Sequence, residues 1–346
     1  MARKLTARDL DRAYQRFGEL VQEGLFPGGV LAVGTSEGLL RNEAFGATDG
    51  TPVRPDDVYL VFSTTKPIVG TAMMQLWERG YIDLAAPVAH YWPEFGSNGK
   101  DKIKIWHLLT HTSGMGLPPA PPDYLVHLPT PEELTQVILN YTISHFTPGT
   151  CREYNSEAFW VMARLAEKVT GMPFTQYFQE NVLDPLGMKD TSFDINHYPR
   201  ERIQPIVEPV VDLVQYSRLQ HPGAGLFSTA EDLCRFGQAF LTEGRVGEYQ
   251  LLSPATIEVM TSRHTEGLPI HPDTPWMDVV DGGLTWKIPR HRRYEEMAVD
   301  GFYHDGAAGC LLFVSPKWDV CLALMTNKSG VPFHTVENLV LGCLRA

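Results

Sequence analysis

Ser63 and Lys66 stand three residues apart in Ser63-Thr64-Thr65-Lys66. If that segment is helical, both side chains leave one face and the amine reaches the serine oxygen. A serine hydroxyl is a poor nucleophile until a base removes its proton. A lysine kept neutral by a low-dielectric pocket or a neighbouring cation can be that base. Alternatively, a charged lysine lowers the pKa of an adjacent tyrosine, and the phenolate takes the proton. Both schemes ask for a tyrosine from another segment and for an oxyanion hole. Two rival serines exist. Ser97-Asn98-Gly99-Lys100 repeats the spacing but carries the Asn-Gly of a turn. Gly34-Thr35-Ser36-Glu37-Gly38 is a literal G-x-S-x-G, which works when its serine sits on a sharp strand-to-helix turn. Both of its flanks, Gly29 to Val33 and Leu39 to Phe45, read as strands, so Ser36 is predicted to sit in a hairpin turn.

The elements around Ser63 suit a nucleophile better. The apolar run Val58 to Phe62 delivers the chain to it. Ile68, Ala72, Met73, Leu76 and Trp77 then recur at helical spacing up to Gly80. Ser63 therefore falls at a helix N-terminus, where amides and the helix dipole favour negative charge. Pro67 fits if the helix starts at about Ser63, because it cannot donate back to the Ser63 carbonyl. Elsewhere, Thr6 and Asp9 read as a capping pair ahead of Leu10, Tyr14, Phe17 and Val21. Glu157 to Val169 reads as a helix ended by Thr170-Gly171. Leu117 to Pro131 holds six prolines and is predicted to be an ordered loop or a lid. Cys310–Val314 and Val320–Met325 flank Ser315–Asp319 as a hairpin, and Phe333 to Leu344 closes the chain as a helix. Strands thus occur near both ends and helices between them. This predicts a discontinuous sheet domain, 1–62 with 276–346, and a mostly helical domain, 63–275, with the active site at their interface.

The chain has 346 residues, 43% hydrophobic and 20% charged, with a formal net charge of -12. An acidic surface disfavours nucleic acid and anionic lipid as partners. The first residues lack the apolar stretch of a secretory signal, and no apolar run reaches bilayer length, so a cytoplasmic location is expected. Five scattered cysteines without CxxC spacing read as reduced and mostly buried. His107 and His111 stand four apart with no third ligand at recognisable spacing and are read as structural. No metal or cofactor is expected. Trp276, Trp286 and Tyr303 suit either an apolar acyl pocket or core packing.

The chain resembles the serine β-lactamases and penicillin-binding proteins, especially their esterase branch. That family carries S-x-x-K, then Y-x-N or Y-x-S, then a K-x-G, H-x-G or W-x-G triplet on a strand. Here the second element reads Tyr154-Asn155-Ser156 and the third His304-Asp305-Gly306. A rival H-x-G, His221-Pro222-Gly223, has a central proline that suits a loop. His107 to Gly114, Asp184 to Met188 and Gly225 to Leu233 also look like family segments. The resemblance implies an α+β, β-lactamase/transpeptidase-like fold, with an antiparallel sheet from both chain ends flanked by helices plus a mostly helical domain. It implies acylation of Ser63, acid/base work shared by Lys66 and Tyr154, and an oxyanion hole of the Ser63 and Ala307 amides. Ser156, His304 and Gly306 would meet substrate. His304 replaces the lysine whose fixed charge holds a substrate carboxylate, and Ser156 is shorter than asparagine. Both departures favour neutral small-molecule esters over β-lactams. The resulting expectation is a carboxylesterase on short-chain or small neutral esters. The alternatives are an amidase, D-aminopeptidase or β-lactam hydrolase on the same residues, and a silent binding scaffold.

Overall fold

Apolar runs from the two ends of the chain lie side by side in one antiparallel sheet. The computed structural model describes residues 4–116, 128–141, 145–207, 211–275, 277, 280–290 and 300–344. Numbered along the chain, the main sheet contains β1 (Gly28–Thr35), β2 (Gly38–Thr48), β3 (Thr51–Pro52), β4 (Val280–Gly282), β5 (Lys287–Pro289), β6 (Phe302–Asp305), β7 (Leu311–Ser315) and β8 (Val320–Met325). Their order across the sheet is β3-β2-β1-β8-β7-β6-β5-β4. The seam is β1 on β8, with Val30 opposite Met325 and Gly34 opposite Cys321.

Side chains alternate between the faces of a strand, and here both faces are covered. Val30 and Ala32 of β1 join Leu312, Ala323 and Met325 in the larger core. Leu31 and Val33 turn the other way, onto Phe313, Leu322 and Leu324. That is why the central strands β1, β7 and β8 read as continuous apolar runs rather than as alternating ones. The second face is closed by Tyr14 and Phe17 of α1 (Asp11–Gln22) and by Val336 and Val340 of the C-terminal helix α5 (Phe333–Leu341). The first is closed by α4 (Ala230–Leu241), which comes from the middle of the sequence. Gly237 lets α4 approach closely, since a Cβ there would meet that of Cys321 at 3.0 Å. The five cysteines are free thiols, four of them buried.

Ser36 lies in the hairpin turn between β1 and β2, where Thr35 pairs with Gly38. Its amide donates to Asp319 Oδ1 at 2.9 Å. The turn is thus tied to the β7–β8 connection and makes no strand-to-helix elbow. The helix after Ser63, α2 (Thr65–Glu78), differs from the one-sided pattern expected of it. Every residue from Thr65 to Leu76 is buried. A helix covered all round belongs inside the molecule, and α2 packs on α3 (Glu157–Thr170), whose C-cap is the left-handed Gly171, φ 71°.

Two aromatic residues considered for an acyl pocket are core instead. Trp286 is buried among Phe236, Phe240 and Phe302, with ring centroids 6.1, 5.1 and 4.8 Å away. Tyr303 packs in the opposite core layer, edge-on to His334 at 5.2 Å. Trp276 and the stretch 117–127 of the proline-rich segment lie outside the described residues. Among the described residues no helix is long and apolar enough to cross a membrane.

Candidate active site

The chain reaches Ser63 through a two-residue strand, Tyr59–Leu60, paired with Phe227–Ser228. It then turns through a short 3-10 helix, Phe62–Thr64, directly into α2. Phe62 takes φ 44°, a strained value for a side chain of its size. The turn is held by its neighbours: the Val61 amide donates to the Leu226 carbonyl at 2.9 Å, and the Leu226 amide donates to Thr65 Oγ1 at 3.2 Å. Pro67 sits in the first turn of α2, where its missing N–H costs nothing.

Lys66 is fully buried and its Nζ makes three hydrogen bonds. It reaches Ser63 Oγ at 3.0 Å, Ser156 Oγ at 3.1 Å and the Gly223 carbonyl at 2.7 Å. Burial, with a smaller effect from the Lys287 ammonium and opposed by Glu157, pulls its pKa down to about 7. The amine is therefore largely available as a base slightly above neutrality. Tyr154 lies beside it, with Lys66 Nζ 4.7 Å from the ring centroid. The Tyr154 hydroxyl is hydrogen-bonded to Ser63, yet burial still pushes its pKa well above the ordinary value. A phenol in that setting stays protonated at neutral pH.

The strand β6 closes the other side. Thr64 Oγ1 donates to the His304 carbonyl at 3.5 Å, linking the strand to the serine turn. His304 is buried, and burial together with the Lys287 charge lowers its pKa well below the usual value. Its Nδ1 lies 2.9 Å from the Asp305 carbonyl. A carbonyl only accepts, so this contact puts a ring proton on Nδ1, and the lowered pKa keeps the imidazole neutral. The charge nearby belongs to Lys287 on β5, which is ion-paired with Asp305. Gly306 begins the turn after β6, its amide donating to the Cys310 carbonyl at 2.8 Å. A Cβ at Gly306 would run into the Val61 carbonyl, so this close approach to the serine turn requires glycine. Ala307 follows on the exposed side of that turn. The structure thus gathers Ser63, Lys66, Tyr154, Ser156, His304 and Gly306 around one point, with Ala307 at the rim.

Such a set of a helix-start serine, a buried amine and a buried phenol can deprotonate an alcohol, hold an acyl group and protonate a leaving oxygen. The Beta-lactamase family matches residues 13–342 of this chain. The chain belongs to the Beta-lactamase family. It is a serine hydrolase, and its relatives in the family include esterases. The esterase/beta-lactamase LipL of Mycobacterium tuberculosis is 27% identical over 335 residues, covering 83% of this chain and 73% of that protein. Esterase EstB of Burkholderia gladioli is 32% identical over 195 residues, 51% of this chain and 50% of its own length. A solved family VIII carboxylesterase superposes with a TM-score of 0.81 over 99% of this chain and 100% of its own, at 20% identity. The β-lactamase/transpeptidase-like fold is shared.

Three parts of this family site escape a reading of spacing alone. His111, read as structural, stacks on Tyr154 with centroids 4.6 Å apart and planes 24° apart. Its Nδ1 accepts the Asn155 amide at 3.1 Å, so the ring fixes the backbone that carries Tyr154. Asn155, the middle residue of its triplet, turns away: Nδ2 donates to the Met115 carbonyl at 2.5 Å, and Oδ1 accepts the Ala158 amide at 3.0 Å at the start of α3. His221-Pro222-Gly223 is indeed a loop, yet Gly223 supplies the carbonyl that orients Lys66. His107, by contrast, only caps a short helix, its Nδ1 accepting the Lys104 amide at 3.1 Å. A carbonyl contact leaves no trace in residue type. The stack on Tyr154 had one available signal, the resemblance of His107 to Gly114 to a family segment.

Proposed function

We propose that the chain is a carboxylesterase acting on small neutral esters through an acyl-enzyme at Ser63. The observation that carries this reading is the 3.0 Å contact from a fully buried Lys66 amine, with a pKa of about 7, to Ser63 Oγ. Neutral Lys66 takes the Ser63 proton as Oγ attacks the ester carbonyl carbon. The oxyanion so formed accepts hydrogen bonds from the Ser63 and Ala307 amides, each worth about 3 kcal/mol in comparable acyl transfers. Collapse breaks the bond to the alkoxide, which leaves as an alcohol with a proton from the Lys66–Tyr154 pair. Water then attacks the Ser63 ester, giving its proton to the same pair. The bond from the acyl carbon to Oγ breaks, the pair returns that proton to Oγ, and the acid departs with Ser63 restored.

The choice of ester follows from charge. With His304 neutral and Lys287 paired to Asp305, a substrate carboxylate beside β6 meets no uncommitted cation from these three residues. Asn155 also contributes no amide contact to substrate, because both ends of its side chain are bonded elsewhere. A β-lactam or small-amide activity on the same residues is the second reading, favoured by the esterase/beta-lactamase name of LipL.

The test is intact-protein mass after exposure to a serine-reactive phosphonate ester, followed by peptide mapping. One adduct on Ser63 is expected. An adduct on Ser36, or none, overturns the reading. Chromogenic short-chain esters beside a chromogenic β-lactam then separate the two substrate classes. Turnover of the β-lactam at or above the ester rate would reverse the preference.

A further inference from the structure

Outside this site, four metal-ligating side chains converge from segments that the sequence holds far apart. The ligand atoms of His145, Glu153, His271 and Asp273 all lie within 4.8 Å of one another. His145 Nδ1 and His271 Nδ1 each stand 3.3 Å from Glu153 Oε1, and His271 Nδ1 stands 3.6 Å from Asp273 Oδ2. Ligands about 2.0–2.1 Å from a tetrahedral zinc are roughly 3.3–3.4 Å from one another, so these separations already approach the edges of such a site.

Two independent observations point to a cation there. Glu153 is only 4% exposed, and its Oε2 is buried with no hydrogen-bond partner among the described residues. A buried carboxylate oxygen without a partner is costly. In addition, the Asp273 amide donates to His271 Nδ1 at 3.4 Å, which makes that nitrogen an acceptor. Its 3.3 Å approach to Glu153 Oε1 then sets two acceptors against each other. A cation between them turns that repulsion into ligation and neutralises the buried carboxylate whose Oε2 lacks a hydrogen-bond partner among the described residues.

We infer that His145, Glu153, His271 and Asp273 form a zinc-type divalent metal site that staples three segments bordering the active site. Two imidazoles with two carboxylates suit zinc better than calcium or magnesium, which favour all-oxygen shells. Four protein ligands close the shell, so the role is structural. The backbone explains what is stapled. The Arg152 amide donates to the Pro269 carbonyl and the His271 amide to the Arg152 carbonyl, both at 2.9 Å, while the Glu153 amide donates to the His111 carbonyl at 2.9 Å. A metal here clamps the 269–273 loop and the His145 segment onto the segment that carries Tyr154. The side chains of His145 and Asp273, 38% and 70% exposed, are free enough to complete the geometry.

The test is equilibrium dialysis of chelator-treated full-length protein against Zn2+, with metal counted by elemental analysis and thermal unfolding followed with and without Zn2+. One Zn2+ per chain and a higher Tm are expected, as binding to the folded state alone requires. H145A and H271A should each weaken binding by at least the roughly 10- to 100-fold that loss of an outer-shell partner costs. H145A alters a partly exposed side chain and keeps the test readable should H271A fail to fold. Co2+ replacing Zn2+ should give visible absorption bands of a tetrahedral site, and these should vanish in H145A/H271A. No saturable Zn2+ uptake by the wild type overturns the inference. So does uptake that survives in H145A/H271A, or a Tm response to Ca2+ or Mg2+ but not to Zn2+.

Discussion

Lys66 concentrates the chemistry because three acceptors and one buried environment act on a single amine. The Ser63, Ser156 and Gly223 oxygens orient it, while burial removes the advantage of its charge. On the proposed mechanism, S63A and K66A should each lower kcat/KM on a chromogenic ester by at least about 10³-fold, since nucleophile and base act as a unit. S36A, altering a hairpin turn, should stay near wild type. Normal turnover by S63A would refute the acyl-enzyme. The pH profile of kcat/KM reports groups of the free enzyme. It should rise as pH increases through about 7, where Lys66 loses its proton, with Tyr154 protonated throughout. A rise displaced to near pH 10 would show that a base of depressed pKa at Lys66 does not drive the reaction, and a flat profile would remove the pair altogether.

At the scale of elements, two turns face each other across the site. One is the strained Phe62–Thr64 entry to α2; the other is the Gly306 turn that follows β6. Their spacing depends on an absent side chain, since any Cβ at Gly306 meets the Val61 carbonyl and approaches Phe62 Cβ to 3.4 Å. G306A must push β6 away from Ser63 and carry the Ala307 amide with it. A displacement on the order of 1 Å costs about 10²-fold in rate. The expected result is thus a kcat/KM lowered roughly a hundredfold in a protein that still folds, checked by steady-state kinetics beside circular dichroism. Unchanged kinetics would show that the Gly306 turn does not set the oxyanion geometry.

Over the whole molecule, the sheet and the helices bury a lysine, and that has a thermodynamic consequence. Lys66 titrates at about 7 in the folded chain and near 10.4 when unfolded. Between those values the unfolded state binds more protons, so stability rises with pH there. The destabilisation grows as pH falls from about 10.4 to 7 and is constant below 7. K66M removes it. The difference in unfolding free energy between K66M and wild type should therefore favour K66M by several kcal/mol more at pH 6.5 than at pH 10. Denaturant unfolding at the two pH values measures it, and a difference independent of pH would mean that Lys66 is not buried as described.

What the sequence determined by itself was local. The hairpin around Ser36, the β7–β8 hairpin, the 157–170 helix with its Gly171 cap, and a serine and lysine one turn apart at a helix start are all encoded within a few residues, by turn chemistry and periodicity. The joining of both chain ends into one sheet was also legible, because apolar runs occur near both termini and helical patterns lie between them. Tertiary structure alone decided the rest. It buried α2 on every side, which no single-helix pattern requires, and so set the charge state of Lys66. It laid His111 under Tyr154, sent Trp286 and Tyr303 into core layers, and turned Asn155 away from the site. It also brought His145, Glu153, His271 and Asp273 together. Proton affinity, stacking and ligation depend on distance and dielectric between segments remote in the chain, and spacing along the chain carries neither.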